Sequence, residues 1–211
     1  MSLILMCTRR LAEGERLIRA QKPWAWGMNF MLGVSIQGRQ LGLVGMGAIA
    51  VATARRARAF GMTIAYTKRS LLTACIALEL DAKLMDMDML LATSDVVSLH
   101  CPYSADTHHL ISEPQLAKMK RTAFIINTAR GPIIDEAALV DALLRKVIAG
   151  AGLDVFEQEP IVHAGLLDMP NVVLLPHLGS ATLEARQAMA NTACINCLAI
   201  LEGSRPPNLV E

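Results

Sequence analysis

Aromatic residues are scarce in this 211-residue chain: four Phe, two Tyr and two Trp. Charge is thin as well, since Asp, Glu, Lys and Arg together make up 18% and the formal net charge is +1. So neutral a chain carries no field for nucleic acid or an acidic partner, and neither is expected. No apolar run approaches the length that crosses a bilayer. The opening MSLILMC lacks a basic stretch ahead of its apolar residues, and Arg9 and Arg10 follow them instead. Those absences predict a cytoplasmic protein without membrane contact. Internal repeats, low-complexity tracts and long linkers are also missing.

Cysteine is sparse and odd in number. Cys7, Cys75, Cys101, Cys194 and Cys197 lie in largely apolar surroundings, which argues against a disulfide framework. Cys194-x-x-Cys197 has ligand spacing, yet it falls inside a long helical pattern with no second ligand pair. Buried, reduced thiols on one helix face are expected there, and no metal. The twelve methionines are expected as core filler. What remains is a densely apolar chain, 53% hydrophobic and long enough to bury a real core.

The stretch around which the rest is organised is LGLVGMGAIAVATARRARAF, residues 41 to 60. An apolar run, Leu41 to Val44, passes through Gly45-Met46-Gly47 into a segment whose Ile49, Val51, Ala52 and Ala54 read as the buried side of a helix. The spacing Gly45-x-Gly47-x-x-Ala50 suits a dinucleotide. Gly45 allows the tight turn, Gly47 lets backbone approach the pyrophosphate, and Ala50 keeps strand and helix close. Helix N-terminal amides then face the phosphates. About 20 residues on, Met62 to Tyr66 reads as a strand running into Thr67-Lys68-Arg69-Ser70. An NAD site usually places Asp or Glu there for the ribose hydroxyl, and this chain has none. Two cations and two hydroxyls stand where a 2′-phosphate would lie, which favours NADP over NAD. The plainer alternative is that Lys68 and Arg69 only solubilise a loop.

Apolar strands separated by helices continue along the chain. A leading helix is expected over Leu3 to Arg19, with Leu3, Cys7, Leu11 and Ile18 on one side, followed by a loop holding both tryptophans, Trp24 and Trp26. Asp86 caps a helix through Ala92, Ser112 one from Glu113 to Met119, and Asp135 one from Glu136 to Arg145. Strands are predicted at Val96–Leu99, Thr122–Asn127, Ala151–Val155 and Val172–Leu175, and a closing helix at Thr182–Glu202. The pattern calls for an α/β fold: a doubly wound parallel sheet with helices on both faces and flanking N- and C-terminal helices.

Three strand-end loops carry residues that packing does not need: Asn127-Thr128-Ala129-Arg130-Gly131-Pro132, then Asp154 to Pro160 (DVFEQEP), then Pro176-His177-Leu178-Gly179-Ser180. In an open parallel sheet such loops converge on the carboxyl edge, where ligands bind. Taken singly, Arg130 could be a salt-bridging loop residue, Glu159 a turn residue before Pro160, and His177 a helix-entry cap.

In order and spacing, the runs AKMKRTAFIINTARGPIIDEAALVDALL, AGLDVFEQEP and NVVLLPHLGSAT, with SLHCPYSADTHHLI before them, resemble the D-2-hydroxyacid dehydrogenases, especially the glyoxylate, hydroxypyruvate and 2-ketogluconate reductase branch. The resemblance covers Leu41 to Asn208 and implies a Rossmann-type cofactor domain. It implies that Arg130 binds the substrate carboxylate and carbonyl, and that Glu159 partners a catalytic His177. Cofactor contacts would come from Gly45, Gly47, Ala48, Ile49, Thr67, Lys68, Arg69 and Ser70, and on the nicotinamide side from Cys101, Pro102 and Thr107. Thr128, Ala129, Arg130, Asp154, His177 and Gly179 complete that set, with Asp154 holding the nicotinamide amide. The implied activity is reduction of a small 2-oxo acid to the D-2-hydroxy acid. His100, His108 and His109 match the blocks without a catalytic role, and His163 reads as a surface loop residue.

Two departures from the pattern are small: Ala48 where the family usually has Arg, and Ala50 for the third glycine. The third is large, since nothing in Met1 to Gln40 builds the second sheet of the family's leading lobe. The expected division is residues 1–40 as leading helix and tryptophan loop, 41–181 as NAD(P)-binding domain, and 182–211 as a closing helix that would normally return to that lobe. Without the lobe, a noncatalytic dinucleotide-binding or interaction module is the competing reading, and an NAD-linked dehydrogenase of another acid is a third. The resemblance implies paired cofactor domains with the leading helix and tryptophan loop at the subunit interface, which predicts a homodimer; read from the residues alone, the tryptophan loop could equally be tucked onto its own domain.

Overall fold

The computed structural model describes residues 1–68 and 72–209. Short apolar runs become the strands β1 (Gln40–Val44), β2 (Thr63–Thr67), β3 (Lys83–Leu84), β4 (Val96–Leu99), β5 (Phe124–Asn127), β6 (Gly150–Leu153) and β7 (Val172–Leu174). Among the described residues they form one sheet in the order β3-β2-β1-β4-β5-β6-β7, parallel at every pairing. Parallel neighbours require crossovers, and the crossover helices cover both faces. That is why β4 and β5 are buried at every position instead of alternating.

The crossovers are α3 (Ala48–Ala59), α4 (Ala74–Leu80), α5 (Met87–Thr93), α6 (Glu113–Lys118), α7 (Glu136–Leu144) and α8 (Ala164–Leu167). One core layer packs Leu90 and Leu91 of α5, Leu116 of α6 and Leu139 of α7 with Val97 and Ile125. The other packs Ala50 and Ala54 of α3, and Leu3 and Ile4 of α1 (Ser2–Thr8), with Leu41, Leu43 and Ile126. A fully buried leucine such as Leu41 or Leu90 contributes about 1.5–3 kcal/mol. The expected caps are in place: Asp86 accepts from Met89 N at 2.8 Å, Asp135 accepts from Ala138 N at 3.0 Å, and Ser112 with Gln115 forms a capping box.

Strand order reverses between β1 and β4, so the chain winds outward from that pair in both directions. A crevice opens at the carboxyl ends of strands at such a switch point, which places the turn after β1 and the segment after β4 on either side of it.

By internal contacts the chain divides into one unit of residues 1–176 and another of residues 177–211. The second holds α9 (Leu183–Leu201), capped by Thr182, whose Oγ1 accepts from Ala185 N at 3.1 Å. Leu183, Ile195, Leu198 and Leu201 of α9 are exposed.

Four expectations need correction. The leading helix is two, α1 and α2 (Leu11–Arg19), because the Thr8 carbonyl accepts from Val34 N at 2.7 Å rather than from the next helical turn, and Arg10 takes a left-handed φ of 54°. Leu11 and Ile18 are therefore exposed rather than in line with Leu3 and Cys7. Ile49 is exposed, since the buried side of α3 runs through Ala50, Val51, Ala54 and Ala57 and Ile49 lies off it. Cys194 and Cys197 are exposed because α9 buries none of its residues; Cys75, on α4, is exposed as well, while Cys7 is buried and Cys101 half-buried. Methionine fills the core at Met46, Met62 and Met119, but Met28, Met89 and Met189 are exposed.

Candidate functional site

The turn after β1 is drawn tight by Gly45, whose φ of +87° lies in the region that favours glycine. A Cβ there would fall 2.7 Å from Cys101 N, so the β1 turn rests directly on the backbone that leaves β4. Gly45 N donates to Thr67 O at 3.0 Å and His100 N donates to Val44 O at 2.8 Å, which ties the ends of β1, β2 and β4 together. Gly47 caps α3 in an extended conformation, and no atom lies within 4 Å of where its Cβ would stand. Ala48 and Ile49 follow, both exposed. Backbone amides of a helix start thus face open space across an unfilled glycine, the shape a pyrophosphate requires.

That space is a cleft of about 590 Å³ lined by Gly45, Gly47, Thr67, Lys68, Cys101, Pro102 and Thr107, with His100 behind them. Burial pushes the His100 imidazole down to about 4, and Ser98 Oγ lies 2.9 Å from its Nε2, so it is neutral near pH 7. Burial also pushes the Cys101 thiol up. The end of β4 therefore offers a neutral imidazole and thiol, Asp106 lines the cleft further along the same segment, and the exposed Lys68 stands at the end of β2. Arg69 and Ser70 lie outside the described residues.

The second loop is closed on itself by Asn127, which is 1% exposed. Its Nδ2 donates to Arg130 O at 2.9 Å and its Oδ1 accepts from Ala129 N at 3.0 Å, leaving Thr128 and the Arg130 side chain exposed. Arg130 Nη1 donates to Ala129 O at 2.6 Å. Gly131 then meets the third loop backbone to backbone, since a Cβ at that position would stand 1.8 Å from Phe156 O. Asp154, buried, donates its backbone N to Asn127 O at 3.0 Å. Glu159 turns back within its own loop, its Oε1 accepting from Phe156 N at 3.1 Å. The Arg130 and Glu159 loops are thereby brought together at the carboxyl edge. His177 opens the second unit, where it is exposed with a left-handed φ of 54°, and Gly179 follows it, also exposed.

Residues 1–179 match the family model described as D-isomer specific 2-hydroxyacid dehydrogenase, NAD binding domain. The chain belongs to this family. It is 47% identical over 213 residues to a glyoxylate reductase of Thermofilum pendens, covering 99% of this chain and 62% of that relative. Among solved structures it is similar to the TT0316 protein from Thermus thermophilus, with TM-score 0.93, 43% identity and coverage of 100% of this chain and 66% of that one. A glyoxylate reductase from Paecilomyes thermophila is similar at TM-score 0.88 and 43% identity, over 95% of this chain and 60% of that one. The chain thus spans less than two thirds of the length of these relatives.

For a 2-hydroxyacid dehydrogenase cofactor domain, the supporting residues were harder to read than the loops themselves. Asn127 stands in the motif, yet its part as the clamp of the Arg130 loop was not expected; a buried Asn at a strand end was the available signal. His109 Nε2 lies 2.7 Å from Glu157 Oε1, a pairing with no local signature. Burial pushes the neighbouring Glu136 carboxyl up. Among the described residues no cluster of His, Cys, Asp and Glu could hold a metal ion, and no helix is long and apolar enough to cross a membrane.

Proposed function

We propose that this chain is the cofactor-binding portion of an NADPH-dependent reductase acting on small 2-oxo acids of the glyoxylate or hydroxypyruvate type and yielding the D-2-hydroxy acid. The observation that carries the reading is the backbone-to-backbone seating of the Arg130 loop on the Glu159 loop, at the same sheet edge as the dinucleotide cleft. The NADP preference draws on Lys68 at the end of β2 and on the lack of an acidic residue there.

When bound, the nicotinamide supplies hydride to the carbonyl carbon. Arg130 pairs with the substrate carboxylate through charge-assisted hydrogen bonds and turns the carbonyl towards that hydride. His177 follows β7 in the chain by only a few residues, and in this reading it donates the proton that the growing alkoxide takes up. In the same reading Glu159 partners His177 in that transfer. Asp154 accepts from the nicotinamide amide.

Loss of NADPH absorbance with glyoxylate tests the activity. Arg130→Gln and His177→Gln should each lower the rate by about 10²–10⁴-fold. Undiminished turnover in either variant contradicts the role proposed for that residue. NADPH binding with no turnover of any 2-oxo acid supports a noncatalytic binding module instead. NADPH should also bind more tightly than NADH in side-by-side titrations. A cytoplasmic homodimer belongs to the same proposal, supported by Trp24 and Trp26, which are 54% and 84% exposed in the single chain. A monomeric mass at micromolar concentration refutes it.

A further inference from the structure

Outside the loops already described, one residue, His109, links the segment after β4 to both the Arg130 loop and the Glu159 loop. His109 sits in the segment that follows the cofactor-lining Thr107, and its backbone N donates to Pro132 O at 2.8 Å, two residues past Arg130. Its ring reaches the other way, with Nε2 2.7 Å from Glu157 Oε1, two residues before Glu159. Nδ1 lies 3.9 Å from Asp135 Oδ2, and the His108 ring stacks on it with centroids 4.0 Å apart. The second carboxylate oxygen of Glu157 accepts from Glu136 N at 3.2 Å, and Glu157 N donates to Glu136 Oε1 at 2.7 Å. Next to His109 the bond from Ile111 N to Ile133 O and that from Asp135 N to Ile111 O extend the seam. His109 holds a left-handed φ of 48°, a conformation non-glycine residues keep only where surroundings impose it.

We propose that His109, through Glu157, is a positioning residue: it fastens the cofactor-lining segment to the Arg130 loop and the Glu159 loop and so fixes where the 2-oxo acid binds. The substrate half of this inference rests on the function proposed above; the fastening of the loops does not. The packing at Gly131 brings the two loops into contact, and His109 adds two directional bonds, ring to Glu157 and backbone N to Pro132 O, that together link all three segments. Loss of the ring should free the loops and leave the β1–α3 cradle untouched, since that turn is held by bonds of its own, from Gly45 N to Thr67 O, His100 N to Val44 O and Val51 N to Gly47 O.

Amide hydrogen exchange in the ligand-free chain reads the fastening directly. His109→Ala should speed exchange at Ile134, Glu136 and Glu157 by about tenfold, the loss expected for one charged hydrogen bond, and leave Leu43, Val97 and Ile125 unchanged. His109→Gln, which keeps a donor at the same reach, should restore most of the protection. In the NADPH complex, oxalate as a 2-oxo acid mimic should bind about tenfold more weakly to His109→Ala, while NADPH itself binds within about threefold of the parent. Unchanged loop exchange, or uniform acceleration at every amide, overturns the inference. If the parent binds NADPH but no oxalate, the proposed function fails and takes the substrate half with it, while a loop-specific exchange effect still supports the fastening.

Discussion

Replacing Gly131 by Ala puts a methyl carbon where Phe156 O would be 1.8 Å away, Phe156 C 1.9 Å and Glu157 N 2.4 Å. All three are backbone atoms, so no side-chain rotation relieves the clash. Ordinary contact needs about 3.5 Å, and the two loops would have to part by about 1.5–2 Å. That separation pulls on the bonds from Asp154 N to Asn127 O (3.0 Å) and from His109 to Glu157 (2.7 Å). Overpacking of this kind costs about 1–3 kcal/mol, and a weakened charged hydrogen bond adds about 1 more, giving a loss of about 2–4 kcal/mol. With a urea dependence of about 2 kcal/mol/M, the unfolding midpoint should drop by about 1–2 M. A midpoint within about 0.3 M of the parent refutes the claim that these loops are seated backbone on backbone.

Gly47→Ala supplies the converse, because nothing lies within 4 Å of that Cβ. Its stability should stay within about 1 kcal/mol of the parent while NADPH affinity falls at least about tenfold, as titration will read. His100 titrates near pH 4 in the folded chain and near 6.5 when unfolded, because it is buried neutral. Its contribution is therefore level above about pH 6.5 and turns against folding as pH falls through that window, by up to about 3 kcal/mol near pH 4. His100→Gln should lose stability less steeply between those pH values in urea titrations, and parallel curves contradict the buried, neutral ring. A thiol reagent at neutral pH should label Cys75, Cys194 and Cys197 in the native chain and spare Cys7, whose thiol burial pushes up to about 12. Rapid labelling of Cys7 by mass spectrometry counts against the packing of α1 on the sheet.

Much of the sheet was legible because each apolar run was bracketed by an identifiable cap or turn residue. Asp86, Ser112 and Asp135 marked helix starts, and Gly45 marked the turn at which the chain passes from β1 to α3. The Arg130 and Glu159 loops were legible for the same reason: polar residues directly after buried strands have few structural uses. Long-range bonds left no local trace. The break after Thr8 depends on Val34 taking its carbonyl, and the partner of His109 lies 48 residues away. Periodicity identified α9 as a helix but held no information on whether anything covers it, so its cysteines were misread as buried. Ile49 was misread because the run of apolar residues around it did not fix which of them face the sheet; Ala50 and Val51 do.

The proposed function has Arg130, Glu159 and His177 acting on one substrate. A crystal structure with NADPH and oxalate bound tests it most directly. The Arg130 guanidinium should then be forked on the oxalate, with the His177 ring within about 3 Å of both that ligand and Glu159. Oxalate held by other residues, or an imidazole more than about 8 Å from it, contradicts the claim.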